Sequence, residues 1–270
     1  MRNILNKYPF SSAKSISVHL SIPYSTTKFI LNKIGFKKIN LKYVPHDLTP
    51  NQKKDRKFYS KEILLLLKKN QKQNYNNIVT GDESWFFFYN PQKSIWSDKK
   101  TENPKIISKK NYQKKILLTI FFSPSGFHVI DELPEKTKFN SSYFCDNIIT
   151  PLEKYFINRR PKTGTKNIFI HFDNAKPHIS QYTKNFIFSK KFNLIKHPPY
   201  SPDISPYDFW LFGFIKEKLK GNTFGTREEL MDKIKEILSE IKKEVILKVY
   251  EEWKMRLKEV IRTDGEYYIK

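Results

Sequence analysis

Apolar positions along this 270-residue chain change their period near residue 77. From residue 11 to 36 they recur at helical spacing. Ser11 or Ser12 is placed to cap a first helix that buries Ile16 and Leu20. Pro23 disfavours helix at Ile22, so Ser21-Ile22-Pro23-Tyr24 forms a short break. Ser25 is expected to cap a second helix with Phe29, Ile30 and Ile34 on its apolar side. Gly35 would end it, as a residue that tolerates positive φ. The pattern predicts a helix-turn-helix over 1–36. Tyr24, Ser25, Thr26, Thr27 and Lys28 lie at the start of the second helix, where a recognition helix meets base edges and phosphates. An ordinary helical hairpin has the same pattern. Residues 37–75 read as a basic linker and connecting helix. The helix begins near Asn51 and turns apolar through Ile63 to Leu67.

From Asn77 onward the pattern is that of strands. Ile78-Val79-Thr80 leads to Gly81-Asp82-Glu83, and Trp85 to Tyr89 is a β-prone aromatic run closed by Asn90-Pro91. Ser94-Ile95-Trp96 resumes the extended pattern. Residues 116–122 form a further strand, joined by the turn at 123–126 to a strand over 127–130. Residues 140–159 read as helix, 167–172 as a buried strand ending at Asp173, 179–188 as helix and 193–195 as a short strand. After the proline-rich stretch 197–206, helices are expected over 207–219, 226–241 and 245–262. Meandering strands followed by strands alternating with helices give an α/β fold of ribonuclease-H-like order over 76–270, preceded by a small all-α module.

Composition narrows the partners. The formal net charge is +23, from 50 Lys and Arg against 27 Asp and Glu. Such an excess calls for a polyanionic partner, nucleic acid first and an anionic membrane surface second. More than half of it sits in residues 1–75. A Lys-, Asn- and Ile-rich chain also arises by codon drift in an AT-rich genome, but drift alone does not concentrate charge at one end. The one cysteine, Cys145, excludes an internal disulfide and a cysteine-based zinc site, and suits a reducing compartment. No apolar run approaches the roughly 20 residues of a membrane span, and the N-terminus lacks an apolar signal-peptide core. A soluble intracellular protein is expected. There is no Gly-x-Ser-x-Gly elbow for a serine hydrolase. Asp173 and His178 lack the helical spacing of a zinc pair.

Asp82 and Asp173 each follow an apolar strand, where ligand sites form in α/β sheets. Asp82 stands in Val79-Thr80-Gly81-Asp82-Glu83-Ser84-Trp85. Asp173 stands in His171-Phe172-Asp173-Asn174-Ala175-Lys176-Pro177-His178. Asp208 follows His197-Pro198-Pro199-Tyr200-Ser201-Pro202-Asp203-Ile204-Ser205-Pro206-Tyr207. This combination resembles the mariner branch of the Tc/mariner transposases over almost the whole chain. The family pattern places 34 residues between its second and third aspartates, and 174–207 is 34 residues. That spacing selects Asp208 over Asp203. Residues 11–36 resemble the family's second helix-turn-helix. The stretch from Tyr43 to Leu48 is similar to its linker motif, which normally opens with Trp. Trp253, Arg256 and Asp264-Gly265-Glu266-Tyr267-Tyr268 match its closing segment.

The resemblance implies a DNA transposase that cuts at transposon ends and joins them to target DNA. Asp82, Asp173 and Asp208 would be both catalytic residues and metal ligands, holding two Mg2+ (or Mn2+) ions per active site, with Asp82 shared between them. The implied partners are double-stranded DNA, as terminal inverted repeats and TA target sites, and a second copy in a homodimer. A nuclear location follows from the substrate, and Arg159-Arg160-Pro161-Lys162 offers a basic cluster for import. Asn174 and His178 are auxiliary candidates, for DNA contact, for orienting a carboxylate or for structural hydrogen bonding. Glu83 alternates to the opposite strand face and reads as a surface or salt-bridge residue. His171 reads as a core-edge residue. Full-length family members carry two helix-turn-helix units, and the first is not found ahead of residue 11. Weakened specific binding to terminal repeats is therefore expected. The alternatives are a domesticated or degenerate DNA-binding protein without catalysis, and a generic ribonuclease-H-like nuclease.

Overall fold

The computed structural model describes residues 1–9, 11–38, 44–91 and 114–269. The expected strand at Ser94-Ile95-Trp96 and Tyr43 of the linker motif lie outside them. The chain forms two compact units, 1–43 and 44–270.

Among its described residues, the first unit holds three short helices. They are α1 (Arg2–Lys7), which the apolar pattern does not announce, α2 (Ala13–His19) and α3 (Tyr24–Lys33). Ser12 caps α2 by accepting from the Ser15 N–H, and Ile16 is buried. Helix α3 departs from expectation. It starts two residues earlier, at Tyr24, with Pro23 rather than Ser25 in the cap position and no side-chain cap. Proline needs no N–H there and pre-sets the entry angle, which displaces Ser25 from that role. The packed position is Thr27, fully buried with its hydroxyl donating to the Pro23 carbonyl at 3.1 Å. Phe29, expected on the apolar side, is 65% exposed. Gly35 follows the helix at φ +86°, the left-handed conformation that suits glycine.

The second unit begins before the sheet, because helix α4 (Pro50–Asn70) belongs to it. Thr49 and Gln52 close a reciprocal capping box at its start. Ile63, Leu64 and Leu67 enter the main core, and Arg56 is buried. The boundary between compact units therefore falls at 43/44 rather than near 75. A helix with an apolar stripe is stabilised by docking on a core, not by spanning between domains.

Among the described residues, five strands follow in the spatial order β3-β2-β1-β4-β5. These are β1 (Ile78–Phe87), β2 (Lys115–Ser123), β3 (Gly126–Glu132), β4 (Phe169–His171) and β5 (Asn193–Ile195). The first three form an antiparallel meander, and β4 and β5 add in parallel. Between β3 and β4 run α5 (Ser141–Phe144), a π-helical turn (Cys145–Ile149) and α6 (Thr150–Arg159). Helices α7 (Lys176–Ile179) and α8 (Gln181–Ser189) connect β4 to β5. A second π-helical turn (Tyr207–Leu211) leads into α9 (Phe212–Leu219), followed by α10 (Arg227–Ser239) and α11 (Lys243–Arg262).

Alternation along the strands divides the interior into two cores. Ile78 and Phe86 of β1, with Leu118, Ile120 and Phe122 of β2, face α4, α9, α10 and α11. Val79 and Phe121 face α5, α6 and α8 on the other side. The result is three layers, helices on both faces of a mixed sheet. At Gly81 a Cβ would come 2.4 Å from both the Ile120 carbonyl and the Phe121 ring, so only glycine lets β2 pass this closely beside Asp82.

Candidate active site

The site forms where two strands part company. β1 pairs with β4 only through Ile78, Val79 and Thr80, opposite Phe169, Ile170 and His171. Beyond Thr80, β1 continues against β2, and Asp82 sits opposite Ile120. Asp82 is thus in the middle of a ten-residue strand, not at its carboxyl end as the pattern implied. It is at the end of the β1–β4 ladder, and the divergence there supplies the crevice that a strand end would. Asp173 lies two residues past β4. By the strand period, Asp82 and Asp173 share the face that carries Thr80 and His171.

Asp173 is held by its neighbours. Its Oδ1 accepts from the Ala175 N–H at 2.8 Å and from His178 Nδ1 at 2.6 Å. Pro177 at the start of α7 helps seat His178, which is fully buried against Phe144 and Phe172. The other nitrogen, Nε2, lies 3.1 Å from Glu83 Oε1. Glu83 is therefore a salt-bridge residue, but one tied to the site through His178. Burial opposes a charge on His178, yet the two carboxylates outweigh it and lift its pKa to about 9. Burial likewise opposes charge on Asp173, but His178 and the Ala175 N–H carry its carboxyl below the ordinary value. Asn174 lines the same cleft as Asp173 and donates to the His197 carbonyl at 2.8 Å.

Asp208 enters from the π-helical turn before α9. With Asp173 it lines a cleft of about 450 Å³ whose far wall is the loop from His197 to Pro202. Crowding protein atoms and the charge of Asp173 push its pKa up to about 7, with Lys216 working the other way. Asp82 is held well above the usual carboxylate range by burial, by Glu83 beside it and by the charges of Asp173 and Asp208. Asp203 has a different place. It accepts two hydrogen bonds from Arg56, at 2.9 and 2.8 Å, and one from the Tyr268 N–H at 2.8 Å.

Beneath the cleft runs a buried chain of polar groups. Thr80 Oγ1 meets His171 Nδ1 at 2.8 Å, His171 Nε2 meets His197 Nδ1 at 3.0 Å, and His197 Nε2 meets Ser205 Oγ at 3.2 Å. Burial keeps both histidines neutral, His197 with a pKa lowered to about 4. His171 is thus core rather than core edge. The chain links the strand before Asp82 to the loop before Asp208. It escaped the sequence reading because its members are 91, 26 and 8 residues apart.

The donor set fits hard divalent cations. Ligand atoms of Asp82, Asp173 and His178 all lie within 4.8 Å of one another. His178 has both nitrogens committed to carboxylates and no lone pair to offer, so the oxygen donors remain. Carboxylates whose mutual charge drives protonation are what a dication would relieve. Of the residues expected to meet DNA, Tyr24, Ser25, Thr26 and Lys28 are exposed on α3, with the Lys28 ammonium 5.7 Å from the Tyr24 ring centroid. Thr27 is the exception, turned inward.

A five-stranded mixed sheet in this order, flanked by helices and with acids at the parting of its central strands, defines a ribonuclease-H-like α/β protein. No family model matches the chain. Over 245 residues it is 29% identical to the human histone-lysine N-methyltransferase SETMAR, covering 88% of this chain but 35% of that protein. It is 24% identical to the Mariner Mos1 transposase of Drosophila mauritiana over 272 residues, covering 99% of this chain and 77% of the relative. The crystal structure of the Mos1 mariner paired end complex with Mn matches 99% of this chain and 78% of its own, with a TM-score of 0.82 at 22% identity. The chain is thus similar in sequence and fold to transposases of the Tc1/mariner type.

Proposed function

We propose that this protein is a cut-and-paste DNA transposase, cleaving DNA at the ends of a mobile element and transferring the freed ends into target DNA. The observations that support the reading are the approach of Asp82 to Asp173, the cleft that Asp173 and Asp208 line, and the burial and mutual charge that press Asp82 and Asp208 toward protonation. Similarity to the Mariner Mos1 transposase and the basic first quarter of the chain support DNA as the substrate. The proposed DNA partners are terminal inverted repeats and TA target sites, acted on by a homodimer in the nucleus. Among the described residues, no helix is long and apolar enough to cross a membrane.

Asp82, Asp173 and Asp208 would hold two Mg2+ or Mn2+ ions, which when bound supply charge neutralisation and an activated oxygen nucleophile. The chain's own residues hold those oxygens in place. His178 fixes Asp173 against Glu83, and Asn174 ties the same turn to the His197 carbonyl. Lys216 donates to Ser84 at 2.8 Å and places a positive charge beside Asp208, where a DNA phosphate would enter. In the first displacement a water oxygen bonds to phosphorus and the P–O3′ bond breaks, the 3′ oxygen leaving as a hydroxyl. In the second, that hydroxyl attacks a target phosphate, gives up its proton and releases another 3′ oxygen.

Strand cleavage of duplex DNA in Mg2+ or Mn2+ tests the reading, with Asp82→Ala and Asp173→Ala as controls. The expected result is metal-dependent cleavage by the parent and none by either variant. DNA binding without cleavage in the parent would establish a non-catalytic DNA-binding protein instead.

A further inference from the structure

Tyr200 lines the same cleft as Asp173 and Asp208. It is the fourth residue of the His197-Pro198-Pro199-Tyr200 run, and neither the core nor the carboxylate cluster uses its ring. The backbone is left-handed, with φ +51°. A bulky side chain rarely adopts that conformation, and it persists only where the surroundings enforce it. Here they do. The Tyr200 carbonyl accepts from the Tyr267 hydroxyl at 3.0 Å and lies 3.5 Å from the buried Arg56 guanidinium. The residue is 52% exposed, and its ring stacks on His46, with centroids 4.1 Å apart and planes 23° from parallel. A strained backbone thus holds a wide, backed aromatic surface half open to solvent, in the cleft where a scissile phosphate would meet the aspartates.

We propose that Tyr200, backed by His46, is a stacking platform for an unpaired nucleobase of the nucleotide whose phosphate enters the aspartate cleft. The proposal rests on the DNA reading above and deepens it. Aromatic faces accept any base, because every base presents a π-face. The platform lowers the cost of holding a strand end apart from its complement. It therefore favours frayed DNA over fully paired DNA without reading sequence.

The test compares two synthetic duplexes of equal length in Ca2+ buffer, binding the full chain. One is fully paired. The other ends in two unpaired nucleotides, the last of them 2-aminopurine. The parent is expected to bind the frayed duplex about ten-fold more tightly and to change the 2-aminopurine emission on binding. Tyr200→Phe keeps both responses. Tyr200→Gly suits the left-handed backbone, so it melts no lower than the parent. Its ratio between the duplexes falls to about one and its emission response is lost. His46→Ala removes only the backing ring and gives an intermediate ratio. A Tyr200→Gly protein that keeps the ratio or the emission response overturns the proposal. So does a parent that binds both duplexes equally. A parent that binds neither duplex overturns the DNA reading itself and this platform with it, which tells the two failures apart.

Discussion

Asp203 and Asp208 are the same amino acid five positions apart, and their surroundings make them opposites. Asp203 is neutralised by a buried guanidinium, whereas Asp208 faces Asp173 across an open cleft. An aspartate's ordinary pKa is 3.8, and in the fold Asp208 is raised to about 7. Between those values the folded chain binds more protons than the unfolded one. The Asp208 contribution is therefore fully present below 3.8 and is lost as pH rises through about 7. In metal-free buffer, Asp208→Asn should melt above the parent at pH 8, with the difference shrinking toward pH 4. Because solvent reaches the carboxyl, the gain is on the order of 1 kcal/mol. Equal melting at pH 8 would contradict the assignment. The motif spacing separates the two aspartates in the sequence, and their different surroundings separate them in the fold. The bridging of Asp173 to Glu83 by His178 was not legible in the sequence, since period-two alternation sends Glu83 to the opposite face and says nothing of a buried ring connecting the faces. Nor did residue type reveal that Thr27 is turned inward while its neighbours on α3 are exposed.

At the scale of elements, most helices and strands were legible because their apolar periods are regular and Gly or Pro punctuates them. Helix α1 was not, and neither were three further features. β1 runs on past Asp82 because its partner β2 continues, a long-range fact that local pattern does not carry. The helical stretches after Asn140 and Pro206 contain π-helical turns that periodicity does not mark. Helix α4 reads as a connector because its first half is polar, yet Arg56 in that half is a buried anchor. Its guanidinium meets Asp203, Ser201 Oγ at 2.6 Å and the Gly265 carbonyl at 2.9 Å, clamping α4, the proline-rich loop and the C-terminal segment together. Removing one partner of a buried pair strands the other. Arg56→Met should cost about 3 kcal/mol in denaturant unfolding, and Arg56→Met/Asp203→Asn should recover part of it. A single variant as stable as the parent would show that the clamp carries no weight.

For the whole molecule, charge and fold point the same way. A net +23 is an excess of positive charge, yet the crevice gathers carboxylates and holds Asp82 well above its ordinary range. A polyanion attracted to the outside and cations drawn to the crevice reconcile the two. The central claim is that Asp82, Asp173 and Asp208 hold divalent ions. The most direct measurement is calorimetric titration of the full chain with Mn2+ near pH 7.5, in the parent and in Asp82→Asn, Asp208→Asn and Asp203→Asn. Mn2+ binding is expected in the parent, with loss in Asp82→Asn and Asp208→Asn and survival in folded Asp203→Asn. Binding that survives in Asp208→Asn and vanishes in Asp203→Asn, or no binding by the parent at all, would contradict it.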